Sequence, residues 1–324
     1  MKTSLHPISV VTHGNERIYA LVALLVFFFS LLILPRYSGG DQVGYTSAYD
    51  IIAGIEPMKA WSYYLDYITS NEPIHFAISI IGSTLAINKD LWFSLFNAIL
   101  AVQLMRILHH WGVNIYLSTS MIFTNFYILV LYLAAERLKF GFLFIAIALL
   151  PRKGMGWRMS FMILSVLSHV SMLFPIASIW LLTTRNMFTD KKPKPMEYTF
   201  LALAILLVLL FSFTQQEYLF RKVNAYMPDE IPFNQLLPIL ALAVYSIVRT
   251  KEWVFPTLIF SPFFIGIAVV GSTRLNMFVF FCFLFLMYRA KLKYDPLLLL
   301  LLLYFTYKSL GFLWNIFQYG SGFK

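Results

Sequence analysis

The chain has 324 residues, of which 60% are hydrophobic, 18% aromatic and only 12% charged, and its net charge is +10. A soluble domain carries roughly twice that charged fraction. The composition therefore excludes an ordinary soluble enzyme, and it assigns the positive charge to membrane topology rather than to nucleic acid. One cysteine, Cys282, lies within an apolar run, so neither a disulfide framework nor a thiolate metal site is expected.

Apolar runs fall at roughly 18–34, 73–87, 91–108, 113–134, 138–150, 159–183, 198–214, 234–248, 254–271, 275–288 and 296–314. They recur from end to end, which predicts an all-α polytopic bundle of about 9–11 membrane segments in a single transmembrane domain, 1–324. The first run ends in Pro35-Arg36 rather than a small-residue cleavage site, so it reads as a retained span.

Basic loops orient such a bundle. Arg152, Lys153 and Arg158 form one cluster, and Arg185, Lys191, Lys192 and Lys194 form the next. Only 159–183 separates them, so that segment is expected to be a broken helix pair turning near His169 and Pro175. The same reasoning makes 73–87 re-entrant, opening at Glu72-Pro73 and returning to keep Arg106 inside. The N-terminus then lies inside and the C-terminus outside, with outer loops at 35–72 and 215–233.

Arg36, Arg137, Arg221 and Arg274 are basic residues on the wrong face of this topology, with Lys139 and Lys222 beside two of them. An arginine at the bilayer centre costs about 2.5–3.5 kcal/mol on the insertion scale. Such residues snorkel to phosphates, pair with acids such as Glu136, Glu217 or Asp229, or line a cavity. Guanidinium suits bidentate phosphate contact, so an outer diphosphate site is the sharper reading.

In the first outer loop, Arg36-Tyr37-Ser38-Gly39-Gly40-Asp41 allows a tight turn and close backbone approach to a ligand. Asp41, Tyr45 and Tyr49 share one face if helical. They read either as an interfacial aromatic belt with a capping acid or as an acid beside a sugar-stacking wall. Glu72-Pro73 is a helix start signal. Glu136 and Arg137 are adjacent and point in different directions on a helix, so each needs its own partner. His169 has Ser165, Ser168 and Ser171 around it, as partners for either a core histidine or a reactive one. There is no Gly-rich phosphate loop with Lys, no HExxH and no GxSxG elbow, so any chemistry must draw on an activated substrate.

These residues, taken in order, resemble the Wzy-type polysaccharide polymerases, in particular the EpsG-like branch. The likeness runs over about residues 36–290. It rests on Gly40, Asp41, Tyr45 and Tyr49; on Glu72-Pro73; on Arg137, with Leu138 where that branch has Gln; on His169, Ser171, Met172 and Leu173; and on Ser272 and Arg274. The resemblance implies a GT-C-type helical bundle in the bacterial inner membrane, with its active site facing the periplasm. It implies transfer of a growing glycan from undecaprenyl diphosphate to an undecaprenyl-diphosphate-linked repeat, with no cofactor, metal or nucleotide. The implied roles are Asp41, His169 or Glu72 as base, Arg137 and Arg274 with Arg36 and Arg221 on the diphosphate, and Tyr45 and Tyr49 on sugar. The implied partners are the lipid-linked oligosaccharide, membrane lipids and a chain-length regulator, with no nucleic acid. A lipid-linked oligosaccharide flippase and an O-antigen ligase are the alternatives.

Overall fold

The computed structural model describes residues 13–68, 71–150, 154–189, 233–270 and 272–323. Among them the chain is all-α, with 14 α-helices and no sheet. The 198–214 run, nearly all of the 215–233 loop, Arg221 with Lys222, and the basic residues Arg152, Lys153, Lys191, Lys192 and Lys194 lie outside the described residues.

The helices are α1 (His13–Ile33), α2 (Asp41–Ile51), α3 (Pro57–Ile68), α4 (Pro73–Thr84), α5 (Lys89–His110), α6 (Ile115–Thr124), α7 (Phe126–Leu133), α8 (Glu136–Leu149) and α9 (Met155–Ser168). There follow α10 (Leu173–Thr189), α11 (Phe233–Thr250), α12 (Val254–Val270), α13 (Ser272–Arg289) and α14 (Pro296–Tyr319). Three stretches among the described residues are long and apolar enough to cross a membrane: Asn15–Arg36, α5 and α14. At 1.5 Å per residue, the 24 residues of α14 reach about 36 Å. Leu299, Leu300, Leu303, Tyr307, Leu310 and Trp314 of α14 are exposed, as are Leu21, Leu24, Leu25, Phe28 and Leu32 of α1. So continuous an apolar surface belongs in lipid rather than water.

The 113–134 run, expected as one segment, is two helices bent by 55°. The break is at Asn125, whose backbone is extended and whose side chain accepts from the Tyr127 and Ile128 amides to start α7 afresh. The same device starts α5 at Asn88 and α14 at Asp295-Pro296. The expected start at Glu72-Pro73 is present, and α4 is 12 residues long. At about 18 Å such a helix is too short to cross about 30 Å of hydrocarbon. The break expected in 159–183 falls on His169, which has extended backbone between α9 and a 3-10 turn at Val170–Met172.

The chain divides into two compact units, residues 1–170 with 294–324, and residues 171–293. In the first unit α1 and α5 run antiparallel: Arg106 pairs with Glu16 at 3.0 Å, and Asn97 Nδ2 donates to Ser30 Oγ at 3.0 Å farther along. In the second unit the core is aromatic, with Phe260, Phe263, Phe278, Phe280 and Phe283 all buried. There Ser178 Oγ donates to the Ile259 carbonyl at 2.7 Å. Gly266 is required at its position, because a Cβ would come within 2.8 Å of both Phe174 and Leu275. The pair Arg289–Glu252, 3.8 Å apart, brings the basic 249–252 turn beside the basic end of α13.

Candidate functional site

The interior of the first unit contains two adjacent buried polar clusters, and α2, α4 and α8 each contribute a residue to both. Helix spacing explains this. Gln42 and Tyr45 are three apart on α2, as are Glu72 and His75 at the start of α4, so each pair looks the same way. Glu136 and Arg137 are neighbours on α8 and point about 100° apart, one toward each cluster.

In the first cluster Arg137 Nη1 lies 3.0 Å from Glu72 Oε2, and Arg137 Nε donates to the Tyr45 hydroxyl at 2.9 Å. His169 Nε2 stands 3.7 Å from the other oxygen, Glu72 Oε1. That is beyond a hydrogen bond but close enough for strong electrostatic coupling. Glu72, Arg137, Tyr45 and His169 are all buried. Neither Glu72 oxygen accepts a well-directed hydrogen bond among the described residues, so the carboxylate is held chiefly by charge.

In the second cluster Lys89 Nζ donates to Glu136 Oε1 at 2.8 Å and to Gln42 Oε1 at 3.0 Å, while Gln42 Nε2 donates to the Leu133 carbonyl at 2.9 Å. His75 Nε2 faces Glu136 Oε2 at 3.6 Å, and its Nδ1 is 2.8 Å from the Tyr64 hydroxyl. Burial pushes the phenols of Tyr45 and Tyr64, on the two helices between α1 and α4, well above the ordinary tyrosine range. The Glu136 carboxylate facing Nε2 can only accept, so the His75 proton resides on Nε2 and Nδ1 accepts from the Tyr64 O–H. Beside them Lys139 Nζ donates to Asn97 Oδ1 at 2.8 Å and sits over the Phe93 ring at 5.0 Å.

Across both clusters the buried charged groups are Lys89, Arg137 and Lys139 against Glu72 and Glu136. Among the described residues no group of three His, Cys, Asp or Glu side chains is placed to hold a metal ion.

The sequence-derived candidates thus divide. Tyr45, Glu72, Arg137 and His169 converge, although they come from positions far apart in the chain. Tyr49 is on the same buried face of α2 as Tyr45, but its hydroxyl donates to the Ile87 carbonyl at 2.9 Å and lies against Gly82. Asp41 begins α2 and is exposed. Arg36 is exposed, with its guanidinium on the Leu32 carbonyl and 5.4 Å from the Phe317 ring centre. Arg274, in the first turn of α13, belongs to the second unit. The Gly39-Gly40 turn, expected to admit a ligand, instead admits backbone: Gly39 N–H donates to the Gly320 carbonyl at 2.8 Å, and a Cβ on Gly39 would lie 3.1 Å from that oxygen. Gly40, at φ +59°, makes the turn into α2.

Lys89, His75 and Gln42 were not singled out by sequence reasoning. Lys89 stands between Asn88 and Asp90 and reads as helix-start punctuation, and only the adjacency of Glu136 and Arg137 signalled that a second partner was needed. Comparison with known proteins adds no relative: no family model, curated protein or solved structure matches this chain.

Proposed function

We propose that the protein is a multi-pass inner-membrane glycosyltransferase of GT-C type, a polymerase of sugar repeats carried on undecaprenyl diphosphate. The observation that carries this reading is the convergence of Glu72, Arg137, His169 and Tyr45 in one buried cluster. These are the positions that the likeness to the EpsG-like polymerases assigns to base, diphosphate and sugar contacts. The cluster also lies toward the start of α5, about 25 Å along that helix from Arg106 and from the end of α1 that carries Arg17. If basic ends face the cytoplasm, the site lies toward the periplasmic side.

In this reading Arg137 uses Nε on Tyr45 and Nη1 on Glu72, which leaves Nη2 for a diphosphate oxygen. A sugar hydroxyl of the second lipid-linked repeat attacks the anomeric carbon of the growing glycan. The bond from that carbon to the diphosphate oxygen breaks, and its electron pair leaves on undecaprenyl diphosphate. Glu72 takes the hydroxyl proton, with His169 beside it to pass the proton on, and Arg137 stabilises the negative charge gathering on the leaving group. Of the candidate bases Glu72 fits best, because it is buried beside the guanidinium whereas Asp41 is exposed. Arg36 is proposed as an outer diphosphate contact.

Purified protein given synthetic undecaprenyl-diphosphate-linked repeats, with no nucleotide, is expected to build longer glycans. Failure of well-folded protein to elongate any such repeat counts against the reading. Buried ionisable chains also serve proton-coupled transporters, so a flippase is the competing reading. A deletion strain separates the two: single repeats remain on the cell surface if a polymerase is lost, and none if a flippase is lost.

A further inference from the structure

We propose that His75, Glu136 and Lys89 are positioning residues that set the register of α4 against α8, and so hold Glu72 at Arg137. This rests on the reading of Glu72 and Arg137 as the reacting pair, and it assigns the neighbouring cluster a task within that site.

The two helices are joined by a crossed pair of contacts. The acid on α4, Glu72, meets the base on α8, Arg137, at 3.0 Å. The base on α4, His75, meets the acid on α8, Glu136, at 3.6 Å. A rotation or slide of α4 that breaks one contact breaks the other, since the α4 residues are one turn apart on one face. α4 is short and has no span length of its own to fix its depth. The crossed contacts supply that constraint.

Each end of the second contact is itself held. Lys89 fixes one Glu136 oxygen at 2.8 Å, so the other is aimed at His75. The His75 ring is walled by Tyr45, Tyr64, Phe93 and Phe140, with centroids 5.4 to 5.9 Å away. The Glu136 carboxylate favours the tautomer with the proton on Nε2, and Nδ1 then takes the Tyr64 O–H at 2.8 Å. Tyr45 links the clusters directly, with its ring against His75 and its hydroxyl on Arg137.

Elongation kinetics and ¹⁵N-histidine NMR on the full-length protein in nanodiscs test this together. His75→Gln is expected to lower turnover by up to about 100-fold, the scale of a small misplacement of reacting groups, with half-saturating substrate unchanged. Tyr64→Phe, which removes one hydroxyl and keeps the packing, is expected to lower turnover about fivefold. In both variants the ring-nitrogen signals of His169 are expected to move, because Glu72 shifts beside them. Wild-type turnover per folded molecule and an unmoved His169 signal in both variants would overturn the proposal. If wild-type protein itself does not elongate, the polymerase reading fails and the NMR decides alone. A moved His169 signal then sustains the positioning role, and an unmoved one ends it.

Discussion

Between Glu72 and His169 the interior of the first unit buries three cations, two carboxylates and two imidazoles, whereas the described interior of the second unit buries only serines among its polar residues. Those serines are Ser171, Ser178 and Ser246, and the hydroxyls of Ser178 and Ser246 donate to nearby carbonyls. Apolar packing alone would have served both units. Buried ionic pairs repay their desolvation poorly, so stability alone does not explain the charged groups kept inside the first unit. On the proposed function the contrast separates a scaffold interior from a working one, and substitutions in the two units should behave differently.

The largest effect is expected from Arg137→Ala, which should reduce elongation by about 100- to 1,000-fold, as loss of an electrostatic contact to developing charge does elsewhere. An equal loss from a variant confined to the second unit's core, Gly266→Ala, would break the contrast. That variant should instead cost about 1–3 kcal/mol by overpacking against Phe174 and Leu275, seen as earlier thermal unfolding, with elongation per folded molecule preserved. Glu136→Ala should destabilise by about 3–5 kcal/mol, because it leaves Lys89 buried without its carboxylate. Ser178→Ala should cost only about 1 kcal/mol in the same unfolding measurement. The smallest effect is expected at the exposed Arg36, where alanine should change elongation by less than about fivefold.

Much of this arrangement could be read along the chain. Pro73 announced α4 because its fixed φ suits a first helical position, and the broken segment at His169 followed from two basic loops too close together for a simple span. The shared face of Tyr45 and Tyr49 followed from their spacing. What escaped were relations between distant residues. Lys89 and Glu136 are 47 positions apart, and nothing local to either names the other. Gly39 looked like a ligand-facing glycine because the residue that needs the space, Gly320, is on α14's far end. Asn125 was hidden inside an apolar run, where a single capping side chain outweighed hydropathy and split the segment in two.

Glu72 is where the account can be tested most directly. Exchanging it for glutamine keeps the volume and removes the charge and the proton acceptor together. Single-turnover elongation of a synthetic undecaprenyl-diphosphate-linked repeat by Glu72→Gln, measured against wild type in the same nanodiscs, should be slower by about 100-fold or more. An unchanged rate from the folded variant would contradict the assignment of this buried cluster as the reacting site.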